Sequence, residues 1–135
     1  MNKDLFEKFK ELNLPIGEYA IFGSGPMAAR GLKQSNDIDA IVTDRIFNEY
    51  KNKPEWKLKE IGDWGVELIS CGEIEMLNGW GPGKWDTQKI ISEAEIINGL
   101  AFVKLGEVLK WKKMMVREKD KKDIELIEEY LNKKI

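Results

Sequence analysis

Leu5, Phe6, Phe9 and Leu12 recur at helical spacing among charged residues, so Lys3 to Leu14 is predicted as an amphipathic helix that Pro15 stops. Tyr19 to Phe22 is a short apolar run, the pattern of a buried strand. Gly23-Ser24-Gly25-Pro26 breaks it, and Pro26 suits the first turn of a short helix, Met27 to Leu32, which Gly31 weakens. Ile38 to Val42 is a second strand, and Arg45 to Lys51 is a helix that ends before Asn52-Lys53-Pro54. Trp56 to Ile61 alternates only weakly; Val66 to Cys71 and Glu73 to Leu77 are strands on either side of Gly72. Asn78 to Asp86 holds three glycines, a proline and two tryptophans, the composition of a loop.

The last third of the chain is punctuated more clearly. Thr87 to Ser92 is a short helix. Glu95-Ile96-Ile97, Asn98-Gly99 and Leu100 to Val103 spell a hairpin, because Asn-Gly accepts the positive φ of a type I′ turn. Leu105 to Val116 is a helix, with Val108, Leu109, Lys112, Met115 and Val116 on related faces. Asp120 is a cap for a last helix from Lys121 to about Leu131, with Asp123 placed like the acidic partner of a capping box. The expected fold is α/β in the broad sense (α+β): one domain over residues 1–135, a mixed sheet flanked by helices, closed by two C-terminal helices.

Composition narrows the chemistry. Hydrophobic residues make up 42% and charged residues 34% of 135 positions, which predicts a folded domain with a real core. A net charge of −2 creates no global field for nucleic acid, although a local basic patch is compatible with it. No apolar run reaches membrane-span length, and Met1 to Lys10 does not resemble a signal peptide, so a cytoplasmic location is expected. The single cysteine, Cys71, allows no intrachain disulfide and reads as a small buried residue. The chain has no histidine, which removes imidazole metal sites and Ser-His or Cys-His catalysis. Oxygen ligands and a hard cation such as Mg²⁺ (or Mn²⁺) are what remain.

Phe22-Gly23-Ser24, twelve intervening residues, and Asp37-Ile38-Asp39 form the most informative constellation. Side chains alternate along a strand, so Asp37 and Asp39 project to one side. Two adjacent carboxylates repel unless a cation lies between them, and divalent cations bridged by phosphates serve that purpose in in-line displacements. A Gly-Ser turn between strand and helix offers backbone N–H groups and the Ser24 hydroxyl to phosphate oxygens. Arg30 and Lys33 follow that turn closely enough to pair with phosphates.

This constellation resembles the nucleotidyltransferase superfamily that includes DNA polymerase beta, over about Tyr19 to Leu77. Leu100 to Leu131, with Lys112, Arg117-Glu118-Lys119-Asp120 and Asp123-Ile124, is similar to the C-terminal helices of small bacterial and archaeal members. The resemblance implies a palm-like sheet and transfer of a nucleoside monophosphate from an NTP, with ATP as first choice. It implies metal on Asp37 and Asp39, triphosphate on Gly23 and Ser24, and a third carboxylate acting as metal ligand and general base. Glu75 in Glu73-Ile74-Glu75-Met76-Leu77 is the first choice for that carboxylate and Glu67 in Val66-Glu67-Leu68-Ile69 the second. Lys112 is a further phosphate candidate by its place in the resemblance. The acceptor is open: a protein, an RNA end, an antibiotic or a small metabolite. A chain this small is expected to need a homodimer or a partner protein for acceptor recognition.

Plainer readings stand beside these. Asp37 can be a turn residue and Asp39 a solvated strand start. Lys112, Arg117, Asp120 and Asp123 can be caps and ion pairs that tie the last helices together. Trp80 and Trp85 can be packing residues, or a platform for a base. Ile21 to Ala28 also satisfies a G-x-G-x-x-A dinucleotide pattern, with Asp44 near the spacing of a ribose-binding acid. The same fold can also serve as a non-catalytic nucleotide-sensing or antitoxin-like module.

Overall fold

A computed structural model describes residues 5–61, 66–80, 85–115 and 117–133. In chain order the elements are α1 (Leu5–Lys10), β1 (Tyr19–Phe22), α2 (Gly25–Ala28), β2 (Ile38–Val42), α3 (Asp44–Lys51), β3 (Lys57–Ile61) and β4 (Val66–Cys71). There follow β5 (Ile74–Leu77), α4 (Thr87–Ser92), β6 (Glu95–Ile97), β7 (Leu100–Phe102), α5 (Leu105–Met115) and α6 (Glu118–Lys133). The strands form one mixed sheet in the order β3-β4-β5-β2-β1-β7-β6, so the expected α+β class and the two closing helices are present. Among the described residues no helix is long and apolar enough to cross a membrane.

The centre of the sheet follows from burial on both faces. All four residues of β1 are buried, and only Asp39 in β2 is not. Tyr19, Ile21, Ile38, Ala40, Val42 and Met76 face a cluster closed by Phe9 of α1 and by Ile46, Phe47 and Tyr50 of α3. Ala20, Phe22, Ile41, Leu68 and Leu77 face a second cluster. That one is closed by Met27 of α2, Ile90 and Ile91 of α4, Val108 and Trp111 of α5, and Ile127 of α6. Each apolar alternation is thus buried against its own helical layer.

β1 and β2 pair antiparallel, with Phe22 opposite Asp39, whereas β2 and β5 run parallel, with Asp39 beside Glu75. The antiparallel β1–β2 pair overturns the dinucleotide-binding alternative, because a βαβ crossover joins parallel strands. Asp44 opens α3 instead of ending a strand, and the Thr43 hydroxyl caps that helix by accepting from the Ile46 N–H. α2 is a single turn that starts at Gly25 and ends at Ala28, earlier and shorter than the expected Met27 to Leu32. The hairpin of β6 and β7 turns at Asn98 and Gly99, with φ of 51° and 83°, as the Asn-Gly signal predicts.

The largest departure lies at the C-terminus. α6 begins at Glu118, so Asp120 and Asp123 sit inside the helix and cap nothing. Both are buried, and both face the buried Lys112 of α5, whose Nζ lies 3.5 Å from Asp120 and 3.0 Å from Asp123. Arg117 bonds Asp120 through Nε at 2.6 Å and Nη2 at 3.0 Å, and Lys33 reaches both Asp123 oxygens at 3.1 Å. Burial would raise the Asp120 carboxyl, but the Arg117 hydrogen bond and charge and the Lys112 charge outweigh it and hold it below its ordinary value. The tie between the last helices is ionic, as the plainer reading has it, and reaches across to the segment before β2.

Removing one partner leaves uncompensated buried charge. Lys112→Ala is therefore expected to cost about 3–5 kcal/mol, read as a lowered midpoint in urea unfolding. Lys113→Ala, whose partner Glu128 is exposed, is expected to cost at most about 1 kcal/mol. Equal losses from the two variants would show that the buried network is not what joins these helices.

Candidate functional site

The site is built where β1 ends and β2 and β5 begin. Asp39 is the polar exception in a strand otherwise made of Ile38, Ala40, Ile41 and Val42. Its register neighbours are Phe22 on one side and Glu75 on the other. The two carboxyl groups share a hydrogen bond, and the buried Oδ1 of Asp39 has no hydrogen-bond partner among the described residues. Burial first, then the Glu75 hydrogen bond and the charges of Asp37 and Glu75, push the Asp39 carboxyl up to about 8. Lys119, in the first turn of α6, opposes that rise through its charge.

Gly23 is needed twice at this point. Its φ is +70°, and a Cβ there would stand 3.0 Å from Asp39 Oδ2. The turn after β1 therefore lies directly against the acidic pair. Ser24 Oγ is 2.7 Å from Ser35 Oγ, and Ser35 donates to the Asp37 carbonyl at 2.5 Å. Since Ser35 has one hydroxyl hydrogen, Ser24 is the donor between the two serines. The turn, the segment before β2 and Asp37 are thereby laced together. Ser24 makes no side-chain cap on α2, and its hydroxyl hydrogen already has an acceptor.

Of the four carboxylates singled out by sequence, Asp39 and Glu75 are in contact. Asp37 is exposed at the mouth of β2 and acts on Asp39 through charge. Glu67 is not beside them. In β4, Ser70 is the residue paired with Glu75, so Glu67 projects from the opposite face, where Asn78 Nδ2 donates to it at 3.4 Å. Among the described residues no three Asp, Glu or Cys side chains gather closely enough to hold a metal ion as they stand.

The three basic candidates are engaged elsewhere. Arg30 donates to Glu95 at 2.6 Å and to the Pro26 carbonyl at 2.9 Å, bracing α2 against β6. Lys33 holds Asp123, and Lys112 is enclosed between Asp120 and Asp123. Each of these cations is therefore already matched by a carboxylate. Sequence reasoning did not single out Ser35 or Lys119 for the site. Lys119 stood within a motif shared with the resembled family, and nothing local marked Ser35.

An aromatic group adjoins the acidic pair. Phe22 lies 5.5 Å from Trp80 and 5.8 Å from Trp111, and the Trp80 ring stacks on Trp111 at 5.5 Å between centroids. Arg117 covers the Trp111 ring at 5.3 Å. Trp80 and Trp111 are buried, so their rings serve as the wall that positions Phe22 and the start of α6. Cys71 is half-buried against the first cluster. A groove of about 610 Å³, lined by Trp85, Lys89 and Met114 among others, runs between α4 and α5, apart from the acidic pair. No family model matches the chain, and no curated protein or solved structure matches it either.

The raised Asp39 carboxyl makes stability depend on pH with a definite sign. Between about 4 and about 8 the folded chain keeps a proton that the unfolded chain has released. That contribution is complete below about pH 4 and is lost as pH rises through about 8. Asp39→Asn has no proton to lose, so in chelator it is expected to gain stability relative to the parent steadily across this window. Urea unfolding at a series of pH values measures the difference. A difference that does not change with pH would show Asp39 to be ionised in the folded chain. Gly23→Ala is expected to destabilise by about 1–3 kcal/mol, from left-handed backbone strain and the displaced Asp39 carboxylate.

Proposed function

We propose that this chain transfers a nucleoside monophosphate from an NTP, with ATP as first choice, to a hydroxyl acceptor, using Asp39 and Glu75. One observation carries the reading: a buried carboxylate oxygen with no partner among the described residues, beside a second carboxylate, near the start of an apolar strand and against a glycine turn. Such an arrangement costs stability, which points to a site kept for chemistry. The donors are all oxygens, which suits Mg²⁺ or Mn²⁺. A cation beside Asp39 and Glu75 would give Asp39 Oδ1 its missing partner, with Asp37 as the nearest further donor. When bound, the metal would supply positive charge for the phosphoryl oxygens of the substrate.

The chain's own residues supply the rest. Glu75 accepts the proton of the acceptor hydroxyl as its oxygen bonds to the α-phosphorus. The bond from that phosphorus to the bridging oxygen breaks, and pyrophosphate leaves with the electron pair. The Gly23-Ser24 turn, closest to Asp39, takes the leaving phosphates through backbone N–H groups. Lys119 adds positive charge at the same place.

Label transfer from α-labelled NTP in Mn²⁺ is expected to be abolished by Asp39→Ala and reduced at least a hundredfold by Glu75→Gln, with Glu67→Gln near the parent. Label transfer that persists in Asp39→Ala rules this reading out. Mn²⁺ is also expected to raise the melting temperature of the parent, and to do so more at pH 8 than at pH 6, because metal competes with the proton on Asp39.

A second reading has its own support. Arg30, Lys33 and Lys112 are all held by carboxylates, and no three ligands are gathered for a metal ion among the described residues. Both features suit a module that senses a nucleotide or partner without turnover. Titration calorimetry with Mg-ATP separates the two: binding without turnover on any acceptor favours the module.

A further inference from the structure

The segment between α2 and β2 connects two parts of the site. One is the Gly23-Ser24 turn after β1; the other is Asp37 and Asp39, at the start of β2. Ser35 joins them. Its hydroxyl accepts from Ser24 at 2.7 Å and donates to the Asp37 carbonyl at 2.5 Å. The peptide unit after Asp37 is thereby held at both ends, because the Ile38 N–H donates to the Glu73 carbonyl at 2.8 Å. Lys33 anchors the same segment to α6 through both Asp123 oxygens, so Ser35 is presented from a fixed place.

A serine before a helix ordinarily accepts from a backbone N–H of the first turn. Ser24 does not: it makes no side-chain cap on α2 and turns to Ser35 instead. A hydroxyl carries one hydrogen, so a phosphate oxygen at the turn can take that of Ser24 only when Ser35 gives it up. Removing the Ser35 hydroxyl therefore has two effects of opposite sign. Ser24 keeps its hydrogen for an incoming phosphate, which favours phosphate binding. The Asp37 carbonyl loses its donor, and the peptide unit that orients Asp37 is held at one end only, which disfavours a cation that uses Asp37. A residue that merely stiffened the turn would lower both affinities together.

We propose that Ser35 is a positioning residue: it ties the turn that receives phosphate to the carboxylates at the start of β2, and it competes with the substrate phosphates for the Ser24 hydroxyl. This rests on the nucleotidyl-transfer reading for the roles of the turn and the carboxylates. Nucleotide affinity is thus held down by the same hydroxyl that keeps Asp37 in place.

Two titrations of the whole chain test this without turnover: tripolyphosphate in chelator, followed by calorimetry, and Mn²⁺ alone, followed by electron paramagnetic resonance of the free ion. Ser35→Ala should bind tripolyphosphate about three- to tenfold more tightly than the parent, the worth of one net hydrogen bond. It should bind Mn²⁺ roughly tenfold more weakly, as when a group behind a metal ligand is removed. Ser35→Thr, which keeps the hydroxyl, should behave as the parent, and so should Gln34→Ala at the exposed neighbour. Ser24→Ala combined with Ser35→Ala should lose the gain in phosphate affinity. Phosphate affinity that is unchanged or lower in Ser35→Ala, a gain that survives in the double variant, unchanged Mn²⁺ affinity, or no tripolyphosphate binding by either chain overturns the proposal. Both shifts without label transfer from α-labelled NTP in Mn²⁺ keep the role of Ser35 and discard the transferase reading. Label transfer with neither shift keeps the transferase and discards the role of Ser35.

Discussion

A carboxylate held inside a central strand, next to a second carboxylate, is the constraint that orders this molecule. Asp39 cannot move away, because β1 and β5 pair with β2 on both sides and fix its row. Relief comes through retention of a proton, which is why its carboxyl titrates near 8. The Gly23 turn can lie so close only because glycine has no Cβ to meet the carboxylate. Strand order, turn geometry and protonation are one arrangement seen at three scales.

The helical layer over that face completes it. Phe22, the row neighbour of Asp39, is walled by Trp80 and Trp111, and Arg117 lies on Trp111. Arg117 also holds Asp120, which with Asp123 encloses Lys112. The first turn of α6, with Lys119, is thereby fixed beside the site by contacts that never touch the carboxylates. Lys33 and Lys112 belong to this support, and Arg30 is held separately by Glu95, so cations that look free along the chain have carboxylate partners in the fold.

Legibility followed the range of the interaction. Strands β1 and β2 and the Asn98-Gly99 hairpin were readable because apolar runs and turn residues are local signals. The start of α6 was misjudged because an aspartate before a helical pattern is also what a cap looks like. Only the position of Lys112, eight residues before Asp120, shows that the carboxylate is spent on a buried pair. At the start of α2 a similar ambiguity holds: Gly25 reads along the chain as a breaker, but in the fold it is a packing requirement, because a Cβ there would stand only 2.5 Å from Ile21 Cγ2.

From the sequence alone followed the α+β class, the central strands, the glycine turn and the acidic pair Asp37 and Asp39, together with the exclusion of imidazole chemistry. Each depends on residue type and short spacing. The choice between Glu75 and Glu67 was beyond it, because both sit in plausible strands at plausible distances. That choice belongs to register: pairing β5 parallel to β2 sets Glu75 against Asp39, and pairing β4 antiparallel to β5 turns Glu67 to the other face. A period of two along a strand is written in one segment of sequence; which strand lies beside it is settled by hydrogen bonds and packing between segments far apart in the chain.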